Sequence, residues 1–260
     1  MQMIKISGPT LAAAGAIFLA PCQAAAQDKN LTGMVGIGAV FSPDYPGSDN
    51  SSATPMPIVD LTWRDRFFLN QRGLGVYALR GQDTGGLSLG FALGYDFDER
   101  IAADDTRLTG LNDIEAGAMF TAFAEYELGV ADLQFEVSRG LSSGGHEGTR
   151  ATLGAEFSTM AGPRLQLSAR PFMTWADGSY TEAFYGISVS EAAASGFSQY
   201  DTGSGLERVG IELQAAYALT DRTGLYLGVS HAQLMGDAKD SPVAFDDTQT
   251  SISTGVFFRF

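Results

Sequence analysis

The chain ends in the stretch SISTGVFFRF, residues 251–260. Successive side chains of a strand point to opposite sides, so one face of this stretch carries Ile252, Thr254, Val256, Phe258 and Phe260. The other face carries mainly small and polar side chains. This period-two alternation predicts a β-strand with one apolar and one polar face.

The aromatic end of this strand indicates a membrane. In a soluble protein, Phe257, Phe258 and Phe260 would stand on a frayed terminus, where exposed aromatic side chains promote association. The last strand of an outer-membrane barrel alternates in this way and ends in an aromatic residue that the barrel-insertion machinery reads. Val256, Phe258 and Phe260 are therefore the predicted outer-membrane insertion signal, and the alternative is a soluble edge strand that ends in phenylalanine.

The same alternation recurs along most of the chain. It predicts about twelve strands, at approximately 32–41, 55–63, 66–70, 74–80, 86–97, 114–128, 131–139, 149–160, 164–176, 206–219, 223–233 and 251–260. The pieces at 66–70 and 74–80 are short enough to form one bent strand instead. A chain of 260 residues accommodates one large β domain of this kind.

The predicted connections alternate between short and long. The short ones lie at 64–65, 81–85, 129–130, 161–163 and 220–222, with one further tight link at 71–73. The long ones lie at 42–54, 98–113, 140–148, 177–205 and 234–250. Outer-membrane barrels have short periplasmic turns and long extracellular loops, so this pattern predicts that both termini are periplasmic.

Alternation alone leaves open which face is inside. A soluble barrel buries its apolar face, whereas a membrane barrel turns that face toward lipid. The polar face here is rich in glycine, alanine and serine and nearly lacks lysine, which suits a crowded lumen better than a soluble exterior. The sequence therefore predicts an all-β, antiparallel transmembrane β-barrel over residues 27–260.

The predicted lumen carries more acidic than basic side chains. Like charges repel in a low-dielectric space, so Arg150 and Arg170 are expected to pair with carboxylates. The connection at 177–205 is long enough to plug a lumen of this width in part. The candidate lumen charges are Glu125, Glu136, Arg150, Glu156, Arg170 and Glu212.

The N-terminus reads as a secretory signal over residues 1–26. Lys5 supplies the positive charge, residues 11–20 are apolar, and small residues at 24–26 allow cleavage, so the mature chain begins near Gln27. A rival reading makes Cys22 a lipid attachment site, although Pro21 departs from that motif. Export places the barrel in the outer membrane of a Gram-negative-type cell, in contact with lipid and lipopolysaccharide.

Composition excludes some partners and ligands. The formal net charge of -14 argues against nucleic acid, because phosphates require a basic surface. Acidic residues cluster in the loops, at Asp104 and Asp105 and between Asp237 and Asp247, yet their spacing matches no calcium-binding loop. We therefore expect no metal site and no cofactor, and a calcium site in these loops is the less favoured alternative.

The residues do not indicate an enzyme. A lipid-hydrolysing triad needs a nucleophile and an oriented base within hydrogen-bond reach. The chain has two histidines, His146 and His231, and only His146 has serines nearby, at Ser142 and Ser143. No strained nucleophile elbow accompanies them. We therefore expect no catalytic residues, and an outer-membrane lipid hydrolase remains the less favoured alternative.

Several short stretches together resemble the MipA/OmpV outer-membrane family. They run in order over essentially the whole mature chain, and the departure from the family pattern is Tyr185, since the family more often has Tyr-Phe-Gly than Phe-Tyr-Gly. The stretches are 36–38, 43–48, 55–58, 73–75, 108–111, 184–188, 195–196, 236–238, 240–243 and the final Phe260.

The resemblance implies an outer-membrane barrel and a set of partners. The family's named member is similar to a scaffold that joins a lytic murein transglycosylase to a peptidoglycan synthase, while other members are porin-like, adhesive or linked to antibiotic susceptibility. A structural scaffold is thus the expected function, with Arg64 and Arg222 in the short turns as candidate periplasmic contacts. The alternative is a narrow channel with a weak cation preference.

Overall fold

Twelve antiparallel strands close into a barrel in the part of the chain that the structure describes, residues 30–260 of a computed structural model. Every strand pairs with its neighbours in sequence, and β1 closes the barrel against β12. The prediction of an all-β antiparallel barrel with twelve strands is confirmed. The predicted signal peptide, residues 1–26, lies outside the described residues.

The strands are β1 (Leu31–Pro43), β2 (Ser51–Trp63), β3 (Phe67–Asn70), β4 (Gly73–Leu79), β5 (Leu87–Asp96), β6 (Gly117–Glu127), β7 (Asp132–Gly140), β8 (Thr149–Met160), β9 (Leu165–Ala176), β10 (Gly205–Ala218), β11 (Thr223–Leu234) and β12 (Thr248–Arg259). The helices are α1 (Gly81–Thr84), α2 (Gly178–Tyr185), α3 (Val189–Ser195) and α4 (Gly236–Lys239), and a 3₁₀ turn spans Thr106–Leu108.

The closing pair of strands shows which face points outward. Ile37 stands opposite Val256, and both side chains are exposed on the outside of the wall. Gly36 stands opposite Phe257 and faces inward, where Phe257 is 9 % exposed. The same alternation on the other strands gives the barrel an apolar exterior. This is the reverse of a soluble barrel, and it suits a wall that is surrounded by lipid.

The region between β2 and β5 is the least regular part of the wall. The segments predicted at 66–70 and 74–80 are two separate strands, β3 and β4, rather than one bent strand. They form a short hairpin that pairs with β2 only at its lower end. Strand β2 begins at Ser51, earlier than the residue 55 predicted from sequence.

The two ends of the barrel differ. The long-loop end carries the connections 44–50, 97–116, 141–148, 177–204 and 235–247, and these contain α2, α3 and α4. The short-turn end carries 64–66, 80–86, 128–131, 161–164 and 219–222, with α1 in one of them. None of the helices in residues 30–260 has the length and hydrophobicity of a transmembrane helix.

We expect the long-loop end to face outward and the short-turn end to face the periplasm. An epitope tag inserted at Ser190 should be labelled on intact cells, and a tag at Gly162 should be labelled only after the outer membrane is opened. Both tagged proteins should still migrate differently before and after boiling, since a folded barrel keeps its strands hydrogen-bonded to one another until it is heated. Surface labelling at Gly162 but not at Ser190 would refute this orientation.

Candidate functional site: the capped mouth and the lumen

Helix α2 closes the long-loop end of the barrel. Its N-cap is Asp177, whose carboxylate accepts a hydrogen bond from the Tyr180 amide at 2.9 Å. Tyr180, Phe184 and Tyr185 are fully buried and pack with aliphatic side chains from β9, β11 and the outer loops. The helix approaches the wall so closely that a Cβ at Gly148 would lie 2.3 Å from the Tyr180 amide nitrogen.

A second buried cluster joins the outer loops to one another. It contains Tyr45, Leu108, Leu111, Ile187 and Val243. The Tyr45 hydroxyl donates to the Val243 carbonyl at 3.3 Å, which links the first loop to the last. We call these two clusters together the cap. The stretches at 43–48, 108–111, 184–188 and 240–243, which carry the family resemblance, meet in the cap.

The turn at Pro46 and Gly47 serves both as a turn and as a contact. Gly47 has a φ of 101°, a conformation that favours glycine. Its amide donates to the Gln249 side chain at 3.1 Å, and its carbonyl accepts from the Phe245 amide at 2.7 Å. A side chain there would also collide with Ala244, since its Cβ would lie 3.0 Å from the Ala244 Cα.

An exposed arginine fastens the rim of the cap. Arg107 donates to Asp105 at 2.6 Å and to Asp49 at 3.0 Å, and Asn50 donates to Asp105 at 3.2 Å. The hydrogen bonds from the Arg107 guanidinium hold the pKa of both carboxyls below their usual range. These contacts, which we call the clasp, tie the first outer loop to the loop between β5 and β6.

Beneath the cap, Arg150 lies at the upper end of the lumen and binds groups of both the wall and α2. Its guanidinium donates to Asp96 at 2.9 Å, to Asp98 at 3.0 Å and to the Tyr180 hydroxyl at 3.2 Å. It also lies 4.7 Å from the centre of the Tyr180 ring. Arg150 therefore joins the wall to α2, and its position explains why Tyr180 can be buried above a charged lumen.

The two histidines have structural contacts. His146 Nδ1 accepts from the Gly148 amide at 3.0 Å, so Nε2 carries the proton and donates to Asp96 at 3.2 Å. With both ring nitrogens engaged, His146 has no free nitrogen to act as a base. Ser142 accepts from the Ala118 amide, and His231 contacts Thr250 on the outside of the wall. The geometry does not assemble a triad.

Lower in the lumen, Arg72 binds two of the candidate lumen acids. It donates to Glu125 and to Glu136, each at 2.7 Å, and its guanidinium lies 4.3 Å from the centre of the Phe123 ring. Phe123 packs with Phe68, Ala92 and Tyr77. This group fills the lumen beside the β3–β4 hairpin with aromatic rings and an ion-paired network.

Arg170 organises the opposite part of the lumen. It donates to both oxygens of Glu212, at 2.7 and 3.0 Å, and to Gln134 at 3.2 Å. Gln134 in turn donates to Glu156 at 3.1 Å. The candidate lumen charges thus fall into three groups: Glu125 with Glu136, Arg170 with Glu212 and Glu156, and Arg150 beneath the cap.

The candidate periplasmic contacts lie in separate turns at the short-turn end. Arg64 has a φ of 54° in the β2–β3 turn, and its guanidinium lies 4.6 Å from the centre of the Trp63 ring. Arg222 lies in the β10–β11 turn, beside a cavity of about 230 Å³. Arg164 and Arg259 also line this cavity, together with Phe257 and Pro163.

Sequence reasoning did not single out Arg72, Tyr180 or Arg164. Arg72 falls in a tight link, where the alternation that marks inward residues is interrupted. Tyr180 lies in a connection whose sequence shows no hydrophobic periodicity. The start of its helix is nevertheless recognisable, because aspartate, here Asp177, is a common N-cap residue. Proline and arginine in the Gly162–Arg164 turn give no comparable signal.

The acidic loop residues act in capping and ion pairing. Asp247 pairs with Lys239 at 3.1 Å, Asp237 accepts from the Gly203 amide at 2.8 Å, and Asp246 accepts from the Thr248 amide at 2.8 Å. Among residues 30–260, no group of three histidine, cysteine, aspartate or glutamate side chains is placed to hold a metal ion.

Comparisons with known proteins give the family. Residues 35–260 match the family described as MltA-interacting protein MipA. "Putative outer membrane protein YiaT" of Escherichia coli (strain K12) is 25 % identical over 248 residues, which cover 94 % of this chain and 97 % of that protein. The resemblance inferred from the sequence is confirmed.

Two solved structures are also similar, at low identity. The COG4313 outer membrane channel from Pseudomonas putida F1 has a TM-score of 0.43 and 14 % identity, covering 89 % of this chain and 96 % of that chain. The translocator domain of autotransporter NalP from Neisseria meningitidis has a TM-score of 0.40 and 12 % identity, covering 91 % and 92 %.

The predicted location in the outer membrane is confirmed by the family and by its relative. The family match begins inside β1 and continues to the last residue, so it covers the wall, the cap and the lumen networks together. The chain is an outer-membrane β-barrel, and it belongs to the MipA family.

Proposed function

We propose that this barrel is a non-enzymatic docking scaffold that holds murein-remodelling enzymes at its periplasmic end. The proposed partners are a lytic murein transglycosylase and a peptidoglycan synthase. The family description, which names interaction with MltA, supports the first of these. The observation that carries the proposal is the basic cavity at the short-turn end.

Three arginines outnumber the one acidic side chain, Asp221, in the lining of this cavity. Arg164, Arg222 and Arg259 line it, and none of the three forms an ion pair with another residue in the range 30–260. The Arg259 amide donates to the Arg222 carbonyl at 2.6 Å, so the backbone holds two of them side by side. Guanidinium groups that form no internal ion pair suit bidentate binding of carboxylates on another protein.

The size of the surface sets the strength of the interaction. The short turns project little beyond the wall, so a periplasmic partner has a small area to contact. Small interfaces between proteins are weak and transient, and charge complementarity then governs the association rate. A docking site of this kind suits enzymes that must bind, act on murein and leave.

Reversing charge in the turns should weaken docking. In the Arg64→Glu, Arg222→Glu double variant we expect markedly reduced capture of a lytic murein transglycosylase, because attraction to an acidic partner becomes repulsion. The measurement is pull-down of the purified transglycosylase by barrels in detergent or nanodiscs, at several salt concentrations. Wild-type capture should itself fall as salt rises.

The matched control reverses two positive charges at the long-loop end of the barrel instead. Arg139→Glu with Lys239→Glu changes the net charge equally, yet both positions lie at the long-loop end. This control should capture the transglycosylase as the wild type does, and both doubles should keep the heat-dependent gel shift of a folded barrel. Equal capture by all three proteins would contradict docking at the turns.

The channel alternative predicts a different role for the lumen acids. A cation pore would use Glu136 and Glu212 as free carboxylates facing water. Both are instead bound by arginines, Glu136 by Arg72 and Glu212 by Arg170. Together with the cap above them, these contacts favour a barrel that conducts little, and they support the scaffold over the channel.

A further inference from the structure

The barrel closes through β3 and β4, but these two strands are short, so the wall between β2 and β5 is laddered only in its lower part. Strand β3 pairs with β2 only through Leu61, Thr62 and Trp63, although β2 continues upward to Ser51. On the other side, β4 pairs with β5 only as far up as Leu93. Within the described range, 30–260, the upper part of β2 therefore has a ladder partner on its β1 side alone.

Two prolines keep this edge of β2 free. Alternate residues of a strand hydrogen-bond to opposite neighbours. Gly33 and Phe260 exchange backbone hydrogen bonds, so the backbone groups of odd-numbered β1 residues point toward β12 and not toward β2. Pro57 and Pro55 stand opposite Ile37 and Ala39, and their nitrogens consequently point away from β1, toward the open edge. Because proline has no N–H to donate, the β3–β4 hairpin cannot extend up this edge as a regular ladder.

The opening has a defined frame. Its floor is the turn from Asn70 to Gly73, its sides are β2 and the end of β5, and its upper border is the clasp of Arg107 with Asp49 and Asp105. At the hairpin, three inter-strand spacings of about 4.8 Å separate β2 from β5, roughly 14 Å between strand axes. Above the hairpin no strand occupies this interval in residues 30–260.

The two sides of the opening differ in chemistry. Pro55, Pro57 and Val59 share the outward face of Ile37 and stand toward lipid, while Met56 and Ile58 face inward. Behind them the lumen is acidic. Arg72 binds Glu125 and Glu136, and Arg150 binds Asp96 and Asp98, so each guanidinium faces two carboxylates. Asp60 stands inward on β2, opposite Met34, and adds a further carboxylate that forms no ion pair within residues 30–260.

We propose that this opening is a lateral portal through which a small cationic amphiphile passes from the outer leaflet into the lumen. Because the cap closes the mouth, entry from outside is directed through the wall. The apolar rim accepts the hydrocarbon chain, and the excess of carboxylates attracts the positively charged head. This inference does not depend on docking at the short-turn end.

Cysteine labelling tests the portal. The sequence has one cysteine, Cys22, so Cys22→Ser gives a chain without thiols. In this background, Thr54→Cys places a thiol inward at the portal, and Ser253→Cys places one inward at the same level of the closed wall, since both face Val40 in the register. The probe is a maleimide attached to a phospholipid, added to barrels in lipid nanodiscs.

We expect the lipid-bound maleimide to label Thr54→Cys on the order of ten times faster than Ser253→Cys, because access controls the rate of thiol modification. An outward Ala53→Cys should label readily and proves that the probe works. Met56→Cys gives a second inward position at the portal if Thr54→Cys fails to assemble, as judged by the heat-dependent gel shift. Equal labelling of the portal thiol and Ser253→Cys would overturn the portal.

Competition identifies the ligand class. Decyltrimethylammonium, below its micelle-forming concentration, should slow labelling of Thr54→Cys, whereas decyl sulfate of the same chain length should slow it much less. Asp60→Asn should reduce the protection by the cation, because it removes a carboxylate at the portal floor. Equal protection by both amphiphiles, or stronger protection by decyl sulfate, would overturn the assignment of a cationic ligand.

Discussion

Replacing Tyr180 and Phe184 together by alanine is expected to release the cap from the barrel mouth. Both side chains are fully buried against the wall and the outer loops. Truncating a buried aromatic ring costs about 3–5 kcal/mol per site. The strands should remain paired, since the ladders run independently of α2, but the connection from 177 to 204 should become sensitive to protease added outside.

The control for the cap is an aromatic residue of the same loops that is not buried. Phe97 is 72 % exposed, so Phe97→Ala should leave protease resistance and the unfolding temperature close to those of the wild type. Cleavage is mapped by mass spectrometry on barrels in nanodiscs, and strand pairing is followed by the gel shift. Unchanged protease resistance in the Tyr180, Phe184 double variant would contradict a cap held by these rings.

Replacing Arg150 by methionine is expected to destabilise the top of the lumen. The change leaves Asp96 buried with one partner fewer and removes the contact with Tyr180. Breaking a buried ion pair from one side costs about 3–5 kcal/mol, because an uncompensated charge stays behind. The expected result is a clear fall in the temperature at which the heat-dependent gel shift occurs.

A second substitution separates charge from packing. Adding Asp96→Asn to Arg150→Met removes the stranded carboxylate, so it should recover much of the lost thermal stability. Arg139→Met on the neighbouring strand is the control, since Arg139 is exposed, faces outward and has a long hydrogen bond to Thr149 at 3.4 Å. No recovery in the double variant would contradict the claim that the stranded Asp96 carboxylate causes the loss of stability.

The strands of the wall were predictable from sequence, because the alternation of apolar and polar residues along one strand shows which side chains share a face. Val256 and Phe258 alternate with Gly255 and Phe257, and this pattern needs no knowledge of the partner strand. Alternating loop lengths then gave the antiparallel order. Strand ends were less predictable: β2 continues to Ser51 beyond the two prolines because β1 pairs with it throughout.

The lumen partners were not predictable, since they depend on register around the barrel. Arg72 binds Glu136, 64 residues away in sequence, and Arg170 binds Glu212, 42 residues away. Which acid meets which arginine follows only once every strand is in place. The cap is harder still, because Tyr45, Ile187 and Val243 come from three loops without periodicity.

The two ends of the molecule have different chemistry. The cap is apolar inside and fastened by Arg107 at its rim, whereas Arg164, Arg222 and Arg259 at the short-turn end form no ion pair within residues 30–260. Burial of the aromatic rings closes the long-loop end of the barrel, and in the orientation that we expect, the basic turns face the periplasm. This division is what the scaffold proposal requires.

The most direct test of the scaffold account is the conductance of the intact wild-type barrel in planar lipid bilayers. The account predicts no steady current above that of the protein-free membrane, because the cap closes the mouth and arginines hold the lumen carboxylates. Stable, cation-selective currents whose selectivity falls in the Glu136→Gln, Glu212→Gln variant would contradict it and would make the barrel a channel.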